Sequence, residues 1–236
     1  MNQTIKISNQ QKIGEGGNWE VFEAYSENYP DYSSIILKTR NGDPNCSIKK
    51  YIEKFKLIQL NELPTVSFLE KIYNDGIAYI ITENLNIVSP FYVSPNSVIT
   101  KEQKETNEKL KALGSPIKNR TECVYEQKVY EEKIKVINGL ENMINKVKED
   151  LKRVSKKGII IDYDSYFLKA SNLENIDYKI ADFDNIYEDR KNSFLDILEN
   201  NFQEFERALN SFIDYFVIKE KRNEYKLCLT KTVHRQ

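Results

Sequence analysis

Three glycines, Gly14, Gly16 and Gly17, stand where one apolar run ends and another, carrying Val21 and Phe22, begins. Glycines at such a turn let backbone N–H groups approach phosphate oxygens closely. Lys38 closes the run Ile35-Ile36-Leu37, and a lysine at that strand end reaches phosphate oxygens beneath the glycine turn. Glu53, fifteen residues on, falls on a helix and is the acidic partner that would hold Lys38 in place. Leu57 and Leu60, at +4 and +7 from it, would seat that helix on the sheet with Glu53 along the same side. Asp182 and Asp184 follow the apolar run Tyr178–Ala181, where a carboxylate can hold Mg²⁺ between phosphate oxygens. Asp164, eighteen residues before Asp182, stands after Gly158 and Ile159-Ile160-Ile161, where it could orient an attacking hydroxyl and take its proton. Each residue also has a plainer reading, as a hairpin turn, a water-facing lysine or a surface carboxylate. Their order along the chain is what points to phosphate chemistry.

These residues need strands and helices to hold them. Thr4–Ile13, Glu20–Ala24 and Ser33–Thr39 carry short apolar or alternating runs and predict strands. Gly42-Asp43-Pro44 breaks the chain, and Ser47 caps an expected helix to about Leu63, with Ile48, Tyr51, Ile52, Phe55 and Ile58 on one side. Pro64 ends it. Val66–Tyr73 and Ile77–Thr82 predict a hairpin through Asn74-Asp75-Gly76. Residues 84–126 are irregular, with a polar run Thr100–Lys111 of helical character, and read as a connection plus an insertion. From Gln127 to Lys157 the pattern is helical, with Ile137, Leu140, Ile144, Val147, Leu151 and Val154 three and four apart. Gly158 stops that helix and Ile159 begins an extended segment. After Asn192 or Ser193 a second helical seam runs from Leu195 to Phe216.

Composition narrows the classes. The 236 residues carry 35 basic and 36 acidic side chains, a net charge of −1, which excludes nucleic-acid binding by bulk charge. The balance is uneven along the chain: residues 158–206 hold 4 basic and 12 acidic groups, while residues 101–157 hold 15 and 10. Such an acidic stretch is either a solvated surface or a cation site. Cys46, Cys123 and Cys228 are far apart, so neither a zinc site nor a disulfide framework is expected. His234, the single histidine, lies three residues from the end and is read as part of a tail. No run approaches the ~18 apolar residues of a membrane helix, and no cleaved export signal is read at Met1–Ile5.

The glycine turn, strand lysine, helix glutamate and two aspartate turns together resemble the protein kinase superfamily. Gly14, Gly16 and Val21 match its glycine loop, with Trp19 in place of the third glycine. Lys38 matches the strand lysine, Glu53 the helix glutamate, and Ile80–Leu85 the hinge, where Glu83 and Leu85 would offer backbone groups to adenine. Ile159–Asp164 resembles the catalytic loop, reading Asp162-Tyr163-Asp164. Ala181-Asp182-Phe183-Asp184 resembles the metal-binding turn, with Asp184 in place of glycine. Lys169 stands where the family has a metal-binding asparagine. A second register makes Asp162 the catalytic aspartate, shortens the loop, and aligns Phe167-Leu168 with the strand after it. The short C-terminal half and Asp182-Phe183-Asp184-Asn185-Ile186-Tyr187 resemble the minimal bacterial effector kinases of the OspG and NleH type. The resemblance implies an α+β, two-lobe fold, with an N-lobe over 1–85 and a minimal helical C-lobe over 86–236. It implies ATP with Mg²⁺ or Mn²⁺ as cofactors and transfer to Ser or Thr of a eukaryotic host protein. The metal ligands would be Asp182 and Asp184. The phosphates would lie under Gly14–Val21, with Gly17 in the turn. It also implies a monomer without a membrane span, delivered by a route without a Sec signal and otherwise cytoplasmic. Trp19 and Lys169 motivate the alternative, a pseudokinase that holds a nucleotide or partner protein without phosphotransfer.

Overall fold

A computed structural model describes residues 5–15, 17–40, 42–85, 91–93, 109, 134–170 and 174–233. The first half is a sheet of five antiparallel strands: β1 (Ile5–Glu15), β2 (Trp19–Ser26), β3 (Ser34–Thr39), β4 (Leu69–Asn74) and β5 (Ile77–Glu83). Their spatial order is β1-β2-β3-β5-β4. Asp75 (φ 49°) and Gly76 (φ 77°) make the tight β4–β5 turn, as Asn-Asp-Gly predicts.

Helix α1 (Pro44–Leu60) crosses one face of this sheet. Its cap is Asp43, not Ser47. The Asp43 carboxylate accepts the Asn45 N–H at 2.9 Å, and Pro44 suits the first helical turn because no N–H is needed there. The helix seats itself through Ile48, Tyr51, Phe55 and Ile58. Leu60 does not share that role and is 82% exposed. The stripe packs on Leu37, Leu69, Ala78 and Ile80, the inner face of the sheet. The outer face is apolar too. Ile36, Ile72, Tyr79 and Ile81 gather with Phe68 beneath Tyr29, whose ring stacks on Phe68 at 3.8 Å.

The second half is helical, with short strands at its junction with the sheet. Its helices are α2 (Leu140–Ser155), α3 (Phe194–Phe216) and α4 (Lys219–Val233). The sequence predicts the first two, but the helix expected from Gln127 begins only at Leu140: Ile134 and Asn138 bridge to Val217 and Asn175, Gly139 turns at φ 72°, and residues 127–133 lie outside the described residues. Helix α4 has almost no amphipathic pattern to read. Ser193 and Asp196 form a reciprocal capping box that starts α3. Gly158, at φ +73°, ends α2, and its carbonyl accepts the Asp189 N–H. The small strands are β6 (Phe91–Val93), β7 (Ile159–Ile161), β8 (Tyr166–Ala170), β9 (Tyr178–Ile180) and β10 (Ile186–Glu188). They pair as β7–β10 and as β6-β8-β9. The polar run at 100–111, apart from residue 109, lies outside the described residues, as does His234.

The architecture is mixed α and β, as expected. One hydrophobic cluster runs unbroken from Trp19 and Leu37 through α1 and Phe183 to Phe216 and Val217. Pro64 and Thr65 join the halves: the Ile180 N–H donates to the Pro64 carbonyl at 2.7 Å, and the Thr65 hydroxyl donates to the Ile180 carbonyl at 2.8 Å. No helix among the described residues is long and apolar enough to cross a membrane.

A fully buried amide holds β7 to the helices. Asn201 of α3 accepts the Ile161 N–H at 2.9 Å and donates to the Ile159 carbonyl and the Ser155 hydroxyl, each at 2.9 Å. Asn201→Ala would strand buried backbone groups on both sides of Ile160. It is expected to lower unfolding stability by about 2–4 kcal/mol, measurable as a shift in a urea or thermal transition.

Candidate functional site

Two tight turns meet beneath the first hairpin. Asp162 follows β7, and its carboxylate accepts the Asp164 N–H at 3.3 Å, which winds 163–165 into one 3₁₀ turn. Asp182 follows β9 at φ 52°, ψ 66°, a left-handed conformation that a non-glycine residue adopts only under constraint. A second 3₁₀ turn spans Phe183–Asn185. The turns are stitched together. The Ser165 hydroxyl donates to the Asp182 carbonyl at 3.1 Å, the Ala181 N–H to the Ser165 carbonyl at 2.9 Å, and the Asp162 N–H to the Asn185 carbonyl at 3.1 Å.

Asp182, Asp184 and Asp164 therefore feel one another. Burial, then the charges of Asp184 and Asp164, push the Asp182 carboxyl up to about 7. Asn185 donates its side-chain N–H to Asp182 Oδ2 at 3.0 Å. Burial and these two neighbouring aspartates, Asp182 and Asp184, also raise the Tyr51 phenol well above its usual range.

The hairpin between β1 and β2 is closed down onto Asp184. Gly14 pairs with Val21 and Glu15 with Glu20, so the glycine turn sits where the sequence puts it. Gly16 lies outside the described residues, and Gly17 is exposed with open space around it. From this turn the Trp19 indole N–H donates to Asp184 Oδ2 at 2.7 Å, and the Asn18 amide donates to the same oxygen at 2.8 Å. From α1 the Lys54 ammonium donates to the Asp184 carbonyl at 2.7 Å. Burial lowers the Lys54 pKa, and the charges of Asp184 and Asp182 oppose that.

The expected Lys38–Glu53 pair does not form. Lys38 lies opposite Glu20 across β2–β3 and pairs with it at 3.6 Å. Alternation puts Lys38 on the face of Ile36 and Ile81, away from Trp19, Leu37 and α1. Lys38 and Asp182 thus lie on opposite sides of the sheet. Glu53 is 61% exposed and faces Lys49 at 3.9 Å. On a helix of 100° per residue, Glu53 is about 160° from Tyr51 and about 140° from Ile58. Lys54 is about 60° and about 40° from them, on the flank of the buried stripe. The periodicity of Ile48, Tyr51, Phe55 and Ile58 contained that signal.

Further contacts hold the hinge segment and the loop. The Leu85 carbonyl accepts the Tyr92 N–H at 2.9 Å. The Glu83 carboxylate pairs with Lys179 at 3.0 Å and caps the Ser67 N–H at 2.7 Å. Only 162–165 separate β7 from β8, and Phe167 and Leu168 pair with Lys179 and Tyr178. That is the shortened register, with Lys169 inside a strand and bound to Glu174 rather than near the aspartates.

A divalent ion fits this donor set poorly. Mg²⁺ demands near-octahedral oxygen ligands. One oxygen of Asp184 is held by two N–H donors and one oxygen of Asp182 by Asn185. Among the described residues no group of three or more His, Cys, Asp or Glu side chains converges to hold a metal ion. The sequence matches no protein-family model and no curated protein.

The acid–base consequence is directional. Asp182 releases its proton near 3.8 in the unfolded chain and near 7 in the folded one. The folded state therefore binds the extra proton, and stability falls as pH rises through that window. Asp182→Asn, which keeps an acceptor for Asn185, is expected to melt above the parent near pH 8 and level with it near pH 4. A melting series across pH checks this.

Proposed function

We propose that this chain is a kinase-like binding module that holds the phosphates of a nucleotide without transferring them. The observation that carries the reading is the position of its cations. The strand lysine is turned away from the aspartate turns, and Lys54 stands beside them instead. Phosphotransfer relies on metal ions and a positioned base working on an aligned acceptor. Here the turn at 162–165 is short, and the Asp182–Asp184 pair is tied up by Asn185, Trp19 and Asn18.

Support for nucleotide as the ligand comes from the glycine turn, which lies over the aspartate turns and touches them through two N–H donors. The same arrangement supports a two-lobe reading, with the five-stranded sheet and α1 above and the helical half below. A role for the module in holding a eukaryotic host protein, after delivery as an effector, follows from the resemblance to the minimal effector kinases.

The test pairs binding with transfer. The protein is incubated with radiolabelled ATP, Mg²⁺ or Mn²⁺, generic protein acceptors and a eukaryotic lysate, and its melting temperature is followed with and without ATP. The expected result is a rise in melting temperature with no label on any protein. Label transferred by the parent and lost in Asp162→Asn or in Asp164→Asn would overturn the module reading and restore a Ser/Thr protein kinase.

A further inference from the structure

We propose that Asn18, Trp19 and Lys54 form an anion site that Asp184 fills from within, and that a nucleotide's phosphate takes Asp184's place there without any divalent cation. This rests on the nucleotide-holding reading and specifies how the phosphate is held.

Three N–H donors, two from the first hairpin and one from α1, converge on the oxygens of one residue. The Trp19 indole and the Asn18 amide reach Asp184 Oδ2 at 2.7 and 2.8 Å, and the Lys54 ammonium reaches the Asp184 carbonyl at 2.7 Å. Two neutral donors with an ammonium beside them suit an oxyanion. The carboxylate of Asp184 now supplies that oxyanion to the two neutral donors, while its main-chain carbonyl takes the ammonium. A phosphate oxygen presents the same acceptor with more charge and would compete for the same donors.

The donors are mounted to permit the exchange. Trp19 and Asn18 belong to the glycine turn, whose Gly17 is exposed with open space about it. Lys54 belongs to α1, anchored on either side by the buried Tyr51 and Phe55. Trp19 is itself buried against Tyr51, at a ring-centroid distance of 5.1 Å, so its N–H and the Lys54 ammonium both stay in place when the acceptor changes. An ammonium carries three donors on a compact charge. It can keep the Asp184 carbonyl and still bind phosphate oxygens, and it has no octahedral shell to complete. Lys38, on the far side of the sheet and paired with Glu20, takes no part.

This arrangement inverts the usual expectation for Asp184. An aspartate that ligates a metal strengthens nucleotide binding, whereas one that competes with phosphate weakens it. Trp19 is the chain's single tryptophan, so its emission reports on this place directly. ATP and inorganic tripolyphosphate are titrated into the parent, Lys54→Met, Lys54→Arg, Lys38→Met and Asp184→Asn, each with Mg²⁺ and with EDTA. Trp19 fluorescence and calorimetry are the readouts, and circular dichroism checks the fold. Parent affinity should be the same in Mg²⁺ and EDTA. Lys54→Met should weaken binding about ten-fold or more, Lys54→Arg should restore most of it, Lys38→Met should change nothing, and Asp184→Asn should tighten it several-fold. Binding that needs Mg²⁺, is lost in Asp184→Asn and ignores Lys54→Met would overturn the anion site while leaving nucleotide binding intact. A parent that binds neither probe under either condition would overturn the nucleotide reading itself.

Discussion

Phe183 is the side chain around which the site is assembled. It is 1% exposed, and its ring meets Tyr51 and Phe55 edge to face, each at a centroid distance of 5.4 Å. Such pairs add about 0.5–1.5 kcal/mol each beyond the area they bury. The placement matters more than the energy. With Phe183 under the α1 stripe, the residues on either side of it have little freedom. Asp182 is forced into the left-handed region, and Asp184 emerges beside the first hairpin. The same contact sets the rotation of α1. Once Tyr51 and Phe55 face Phe183, Lys54 comes to Asp184 and Glu53 faces solvent with Lys49.

Much of the fold could be read from the chain, because its signals are local. The Asn-Asp-Gly turn, the start near Ser193, the stop at Gly158 and the seams of α2 from Leu140 and of α3 all depend on residues within a few positions of one another. The site could be read as a set of turns but not as a set of contacts. The facing of Lys38 depends on which side of β3 is inner. Ile35-Ile36-Leu37 is apolar throughout, since Tyr29 and Phe68 cover the outer face as α1 covers the inner one. A strand buried on both faces has no alternation to show its phase. For α1 the phase was legible, in Ile48, Tyr51, Phe55 and Ile58, and a second grouping through Leu57 and Leu60 pointed the other way. Helix α4 left no pattern: among its described side chains Tyr225 packs on the core, and its hydroxyl accepts the Ile137 N–H.

The acidic excess of residues 158–206 resolves mostly into local structure. Asp196 caps α3, and Asp189 gathers the N–H groups of Lys191 and Asn192. Asp177 pairs with Lys146, Glu174 with Lys169, Glu188 with Arg190 and Glu204 with Arg207. Charge counted along a sequence cannot separate such cap and surface roles from a site. What separates Asp164, Asp182 and Asp184 is that two turns, built from strands far apart in the chain, are bonded face to face.

The joint at Gly158 sets a limit of its own. A methyl group at that position would come within 2.5 Å of the Asp189 carbonyl oxygen, closer than atoms tolerate. The spacing between α2 and the three isoleucines of β7 is therefore governed by clearance for a single carbon atom. Lengthening the connection by one residue would turn Ile159, Ile160 and Ile161 over and carry the aspartate turn out of phase with its partner.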